Sequence, residues 1–244
     1  AVLALSATPT IPGVHTLQVR LVPADAAFKP VKEELTLFGV AAGGVLAQAG
    51  KESARLETDT VRLTVAARLG TIRITHKDSG LTLFSARPLA GPPYSPSAFD
   101  KKHFSLTLAN EDGRAAVRMH GEPEHYDDTF MDLTVALSAN SLVTVEQQLT
   151  CLGTGPYEGR LIMESQWQDN PRLTATTPLN MGHIRAPMSN YPVDADEMPA
   201  TSEDYAEPWI AVERDGVAGG MAWSAQTERV RHGQWALRLI DRKS

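Results

Sequence analysis

His120-Gly121-Glu122-Pro123-Glu124-His125-Tyr126-Asp127-Asp128 is the densest set of chemically able side chains in the sequence. Imidazoles and carboxylates this close together could ligate a metal ion or supply a general acid and a general base. Glu124, His125, Asp127 and Asp128 are the candidates for catalysis. Pro123 interrupts any helical face, so the i, i+4 histidine pair of a zinc helix is not available. The spacing matches no metal motif, and no metal or cofactor is expected. The plainer reading is a polar loop leading into a strand. A second cluster comprises Asp194, Asp196, Glu197, Glu203, Asp204, Glu207 and then Pro208-Trp209. Carboxylates accept hydrogen bonds from sugar hydroxyls, and an aromatic ring packs on sugar C–H groups. Asp204, Tyr205, Glu207 and Trp209 are therefore the candidates for ligand binding, against the alternative of a solvated acidic loop.

Several chemistries lack motif support. The chain contains no GxSxG, P-loop, GxGxxG or CxxC. Asp194 and Asp196 have the hard oxygens of a calcium site but not the Gly and Glu that would complete its loop. Trp167, Trp209, Trp223 and Trp235 fall in late strand-like runs, where tryptophan usually serves the core; Trp209 is the best platform for a ligand. Cys151 is the single cysteine, which excludes an intrachain disulfide. It falls on the apolar side of its run and is expected to be a buried structural thiol.

These residues are positioned by strands. In Met131–Leu152, Leu133, Val135 and Leu137 alternate with Thr134, Ala136 and Ser138. After the turn residues Ala139-Asn140-Ser141, Val143, Val145, Gln147, Leu149 and Cys151 alternate with polar neighbours. Two period-two runs joined by a short turn predict a β-hairpin. It is expected at the centre of the larger sheet, with Leu133, Val135, Val145 and Leu149 in the core. Further strands are predicted at Val14–Val22, Val31–Val40 (Leu35 and Leu37 inward), Val61–Val65, Ile72–Thr75, Leu81–Phe84, Phe104–Leu108, Ala115–Met119, Tyr157–Trp167, Trp209–Glu213, Gly219–Ser224 and Gln234–Ile240. Gly80 closes the turn after His76, where a positive φ is cheap. Ala41–Gly50 reads as a Gly-rich linker, Arg87–Asp100 as a proline-rich loop, and Asn170–Pro208 as a long ordered loop covering one end of the body. A strand and a turn every eight to twelve residues, with no long 3.6-period stripe, predict an all-β antiparallel sandwich with little helix. Residues 1–50 are expected to be N-terminal strands plus linker packed on the body, and 51–244 the sandwich domain.

Composition bounds the partners. The 244 residues are 42% hydrophobic and 21% charged, enough for a substantial core. Net charge is −6 and the pI about 5.6, without basic clusters, which argues against nucleic acid and anionic membranes. No run approaches the roughly 18 apolar residues of a membrane span. The opening AVLALSATPT reads equally as the tail of a signal peptide or as the cut edge of a longer protein. A periplasmic or secreted location is slightly favoured over the cytoplasm.

Two stretches resemble the galactose-mutarotase-like β-supersandwich, the non-catalytic domain of several glycoside hydrolases. They are TDTVRLTVAARLGTIRITHKDSGLTLF (58–84) and DYAEPWIAVERDGVAGGMAWS (204–224). The resemblance implies two large packed antiparallel sheets and a carbohydrate-associated accessory role. It transfers no catalytic residue, because the histidine-bearing strand motifs of the aldose epimerases are not found. Three functions follow as expectations: an accessory module of a carbohydrate-active enzyme, with carbohydrate and other domains or subunits as partners; a stand-alone carbohydrate-active enzyme (hydrolase, lyase or epimerase-like) using residues 120–128; or an exported structural or assembly protein.

Overall fold

The alternation that organises the sequence is realised, among the described residues, as eighteen antiparallel strands. The computed structural model describes residues 9, 11–23, 25, 27–97, 99–110, 113–153, 160–167, 174–179, 182–187, 208–223, 229–232 and 236–242, the last stretches largely as backbone. The strands are β1 (Gly13–Leu21), β2 (Val31–Gly39), β3 (Leu46–Ala49), β4 (Ser53–Glu57), β5 (Val61–Ala66), β6 (Ile72–His76), β7 (Thr82–Gly91), β8 (Ser105–Leu108) and β9 (Arg114–Gly121). They continue with β10 (Thr129–Ser138), β11 (Val143–Cys151), β12 (Arg160–Trp167), β13 (Thr174–Leu179), β14 (Gly182–Pro187), β15 (Trp209–Arg214), β16 (Val217–Ala222), β17 (Arg229–His232) and β18 (Ala236–Arg242). No helix occurs among the described residues. The fold class is all-β and sandwich-like.

An eight-stranded sheet, in the order β17-β18-β12-β7-β6-β5-β4-β3, faces a four-stranded sheet in the order β11-β10-β9-β8. Leu56, Leu63, Val65 and Ile72 from the first meet Val117, Met119, Met131, Leu133, Val135 and Leu137 from the second in one apolar cluster. Burying such a face is the main force holding two sheets together. A second four-stranded sheet has the order β14-β13-β15-β16, and β1 with β2 forms a separate two-stranded ribbon. Ile210 and Val212 are the buried alternate positions of β15.

Several expectations need correction. The β10–β11 hairpin lies in the smaller sheet, with β11 at its edge. Leu133, Val135 and Leu149 are buried as expected, but Val145 is 37% exposed and Cys151 is exposed. The period-two face was right: Val145 stands opposite Val135, and Cys151 opposite Thr129. An edge strand, however, lacks the outer neighbour that would complete the cover. Leu35 is likewise exposed, on a ribbon with only two strands.

Prolines misled in two places. Pro88 lies within β7, pairing with Met163 of β12, and β6 has stopped pairing with β7 by Ala86. Pro178 lies within β13, beyond Thr176, where pairing with β15 ends. In each case the missing N–H falls where only one neighbouring strand pairs, and proline is tolerated there. The stretch read as one long loop thus contains the β13–β14 hairpin, and the segment read as a linker carries β3, paired with β4. Gly80 does take a positive φ, +68°, in the turn between β6 and β7.

Candidate ligand-binding face

His120 is the penultimate residue of β9 and lies on the solvent side of the four-stranded sheet, away from the apolar cluster. The antiparallel register sets Asp132 of β10 directly across from it, and the His120 Nδ1 to Asp132 Oδ1 distance is 2.7 Å. Both side chains are about half exposed. Phe130, two residues before Asp132, is the diagonal neighbour on the same face. Its ring stacks on the His120 imidazole, with centroids 5.3 Å apart and planes at 16°. Ser105 of β8 pairs with His120 across the sheet, and its hydroxyl donates to the His120 carbonyl at 3.1 Å. Gln148 of β11 stands across from Asp132, and the next row is Thr107, Arg118, Thr134 and Glu146. This face therefore combines a fixed carboxylate, an imidazole, an aromatic ring, a guanidinium and amides within reach of solvent.

The loop after β9 is tied down more tightly. Glu122 forms an ion pair with Lys102 at 2.6 Å, which lowers the carboxyl pKa and raises that of the ammonium. Glu124 accepts from the Lys101 amide at 2.6 Å, and its own amide donates to Ser95 Oγ at 3.1 Å. Ser95 Oγ in turn donates to Asp100 Oδ2 at 2.6 Å. Asp100 also accepts from the Ser97 amide at 2.9 Å and the Ser97 hydroxyl at 2.6 Å. Burial pushes the Asp100 carboxyl up, but the hydrogen bonds from Ser95 and Ser97, with the nearby charge of His125, outweigh it and hold the carboxyl below its ordinary value.

This arrangement is not that of an activated serine. Ser95 gives its proton to a carboxylate rather than to an imidazole, and His125 Nε2 lies 3.8 Å from Asp100 Oδ1. The hydrogen bonds join the loop after β7 to the loop after β9. Between them lies a recess lined by Ser95, Asp100, Lys102, Glu122, Glu124 and Met131, with room for about one water molecule. A sugar ring does not fit inside it.

The four catalytic candidates thus share one loop. Glu124 is anchored to the Ser95–Asp100 knot, and His125 is exposed beside it. Asp127 and Asp128 are exposed; their carbonyls accept from the Thr129 hydroxyl at 3.2 Å and the Leu152 amide at 2.7 Å. Among the described residues no group of three His, Cys, Asp or Glu side chains is placed to hold a metal ion. Of the ligand-binding candidates, Asp204, Tyr205 and Glu207 lie outside the described residues. Trp209 is half-buried at the start of β15, across from Ala222, on a different sheet from His120.

Sequence reasoning missed Phe130, Asp132, Ser95 and Asp100. Phe130 and Asp132 had a signal, since they occupy the polar phase of the β10 alternation. Their junction with His120 depends on strand register, which alternation alone does not give. Ser95, Ser97 and Asp100 are local in sequence, a hydroxyl–carboxylate pattern typical of self-bonded turns.

No known protein family matches the chain, and no curated protein matches it. Among solved structures it is similar to a TPR-domain containing protein from Parabacteroides distasonis, at 9% identity and a TM-score of 0.47. That likeness covers 93% of this chain and 50% of the other, so this chain spans half the length of that protein. A likeness of this degree assigns no activity.

Proposed function

We propose that this chain is a carbohydrate-associated β-sandwich module, the accessory and non-catalytic part of a carbohydrate-active enzyme. The observation that carries the reading is the outward trio of His120, Phe130 and Asp132, with the carboxylate held 2.7 Å from the imidazole and the two rings stacked. A carboxylate accepts from hydroxyls, an imidazole donates or accepts, and an aromatic ring packs its face on C–H groups. Arg118, Glu146 and Gln148 extend the polar surface on the same side of the sheet. An open face of this kind suits weak, exposed recognition of a glycan, with Kd between millimolar and micromolar, about 4–8 kcal/mol. Trp209, with Asp204, Tyr205 and Glu207 before it in sequence, is a second candidate contact.

Calorimetry against a panel of soluble glycans tests this. Binding by the parent chain that Asp132→Ala weakens at least tenfold supports the outer-face site; binding weakened only by Trp209→Ala moves the site to β15. A panel with no binder at millimolar concentration defeats the reading. The assembly alternative is favoured by a separate observation: the β1–β2 ribbon exposes Val14, Leu21, Val31 and Leu35.

A further inference from the structure

The eight-stranded sheet turns one phase of its alternation to the core and the other outward. Leu56, Leu63, Ile72 and Ala86 lie in the apolar cluster, so their neighbours Glu57, Arg62, Arg73 and Arg87 fall on the outer face. Register sets these charges side by side. Arg62 of β5 stands across from Glu57 of β4 on one side and Thr75 of β6 on the other. Arg73, two residues before Thr75, is the diagonal neighbour of Arg62. Arg73 stands across from Ser85 of β7, and Arg87, two residues beyond Ser85, is the next diagonal neighbour. Arg87 stands across from Glu164 of β12. The register positions beyond Glu164 belong to Arg238 of β18 and Arg231 of β17. The result is an oblique stripe with one charge per strand, crossing the sheet from β4 to β17. Strands lie about 4.8 Å apart, so the stripe spans about 24 Å from β5 to β17. The arginines are scattered in sequence, and no basic run announces them.

Both glutamates of the stripe are buried and bonded. Glu57 pairs with Arg62 at 2.6 Å, and Glu164 accepts from Nε and Nη2 of Arg87 at 3.0 and 2.8 Å. Arg62 and Arg87 still keep 42% and 32% of their side-chain exposure. Arg73, between them, is exposed, and no hydrogen bond or ion pair among the described residues holds it. Thr64 and Ser85 flank it in its row. Diagonal neighbours are about 7–8 Å apart, so three guanidiniums line up within about 15 Å.

We propose that this stripe is a binding track for an acidic glycan carrying carboxylate or sulfate groups, with Arg73 as its principal contact. A guanidinium presents a planar fork that matches either anion in a bidentate pair. Nucleic acid and anionic membranes bring broad arrays of charge, which a chain of net charge −6 repels outside a stripe one residue wide. A single saccharide chain lies along the stripe. The choice of a glycan rests on the carbohydrate reading; the site itself lies on the other sheet from His120 and Asp132.

Calorimetry with a galacturonate hexamer and a chondroitin sulfate hexamer tests the track and separates carboxylate from sulfate. Maltohexaose is the neutral counterpart, and a single-stranded oligodeoxynucleotide is the polyanion without a glycan. At least one acidic hexamer should bind roughly tenfold or more tightly than maltohexaose, and its affinity should fall as ionic strength rises. Arg73→Gln should weaken it roughly two- to fivefold, and the charge reversal Arg73→Glu roughly tenfold or more. Both substitutions fall at an exposed position and should leave the fold intact by circular dichroism. Failure of both acidic hexamers to bind, binding no tighter than maltohexaose, or binding that ignores both Arg73 variants overturns the proposal. So does an oligonucleotide that binds as tightly as the acidic hexamers. A neutral glycan that binds while both acidic hexamers fail sinks this inference and leaves the carbohydrate reading standing. Acidic hexamers that bind through Arg73 while neutral glycans fail support the stripe and count against the β9–β10 face.

Discussion

Glu57, at the end of β4, is only 1% exposed, yet it is charged and surrounded by cations. Arg62 lies across the sheet with its Nε 2.6 Å from Oε1, and Lys77 Nζ lies 3.0 Å from Oε2. The Arg55 guanidinium also pairs with Oε1, while packing over the Phe38 ring at 4.2 Å and reaching the Thr36 carbonyl. One carboxylate thus joins β4, β5, the turn after β6 and, through Arg55, the β1–β2 ribbon. Removing one partner of a fully buried pair costs about 3–5 kcal/mol. The cations here keep between 20% and 42% of their side-chain exposure, so water screens part of the loss. We expect about 2–3 kcal/mol for Glu57→Ala and about 1–2 kcal/mol for the isosteric Glu57→Gln. For a chain of this length the alanine variant should melt about 4–12 °C lower.

The pH dependence adds a sharper test. Burial pushes the Glu57 carboxyl up, but Arg62, Lys77 and Arg55 outweigh it and hold the carboxyl below its ordinary 4.5. A carboxylate with a depressed pKa contributes stability above its unfolded value and loses it as pH falls through its folded value. The gap between parent and Glu57→Gln should therefore be full at neutral pH and close progressively below about pH 4.5. Thermal melts of both proteins across this range measure it. Equal stability at neutral pH, or a gap that persists unchanged into acid, would refute the reasoning.

Leu133→Ala should cost about 2–4 kcal/mol in urea unfolding, because Leu133 is wholly buried between the sheets. Val145→Ala, at the exposed edge, should cost less than about 1 kcal/mol; equal costs would mean that β11 is covered. A Cβ on Gly121 would come within 2.8 Å of the Phe104 ring, so Gly121→Ala should destabilise by about 1–3 kcal/mol, and pairing it with Phe104→Leu should recover part of that. Cys151 should react with iodoacetamide in the folded protein as fast as in urea; protection in the folded state would contradict its exposure.

The strands legible in the sequence were those whose burial repeats every two residues. Leu133, Val135 and Leu137 declare β10 because both faces of a strand follow from one phase. Val145 and Cys151 obey the same phase, but their burial depended on sheet order, which alternation does not encode. Pro88 and Pro178 hid their strands because the tolerance for proline depends on where a neighbouring strand stops. The polar loop 120–128 was visible as composition, and the structure anchors it through Ser95 and Asp100. The pairing of His120 with Asp132 was not visible, since register joins residues twelve apart that no local rule connects.

Amide chemical-shift mapping of the ¹⁵N-labelled chain tests the outer face of β9 and β10 directly. A glycan titrated to roughly 10 mM, enough to populate a millimolar complex, should shift the amides of His120, Phe130 and Asp132 in a saturable manner, and Asp132→Ala should remove the response. Shifts confined to other strands, or none at that concentration, would contradict a carbohydrate-binding role for this face.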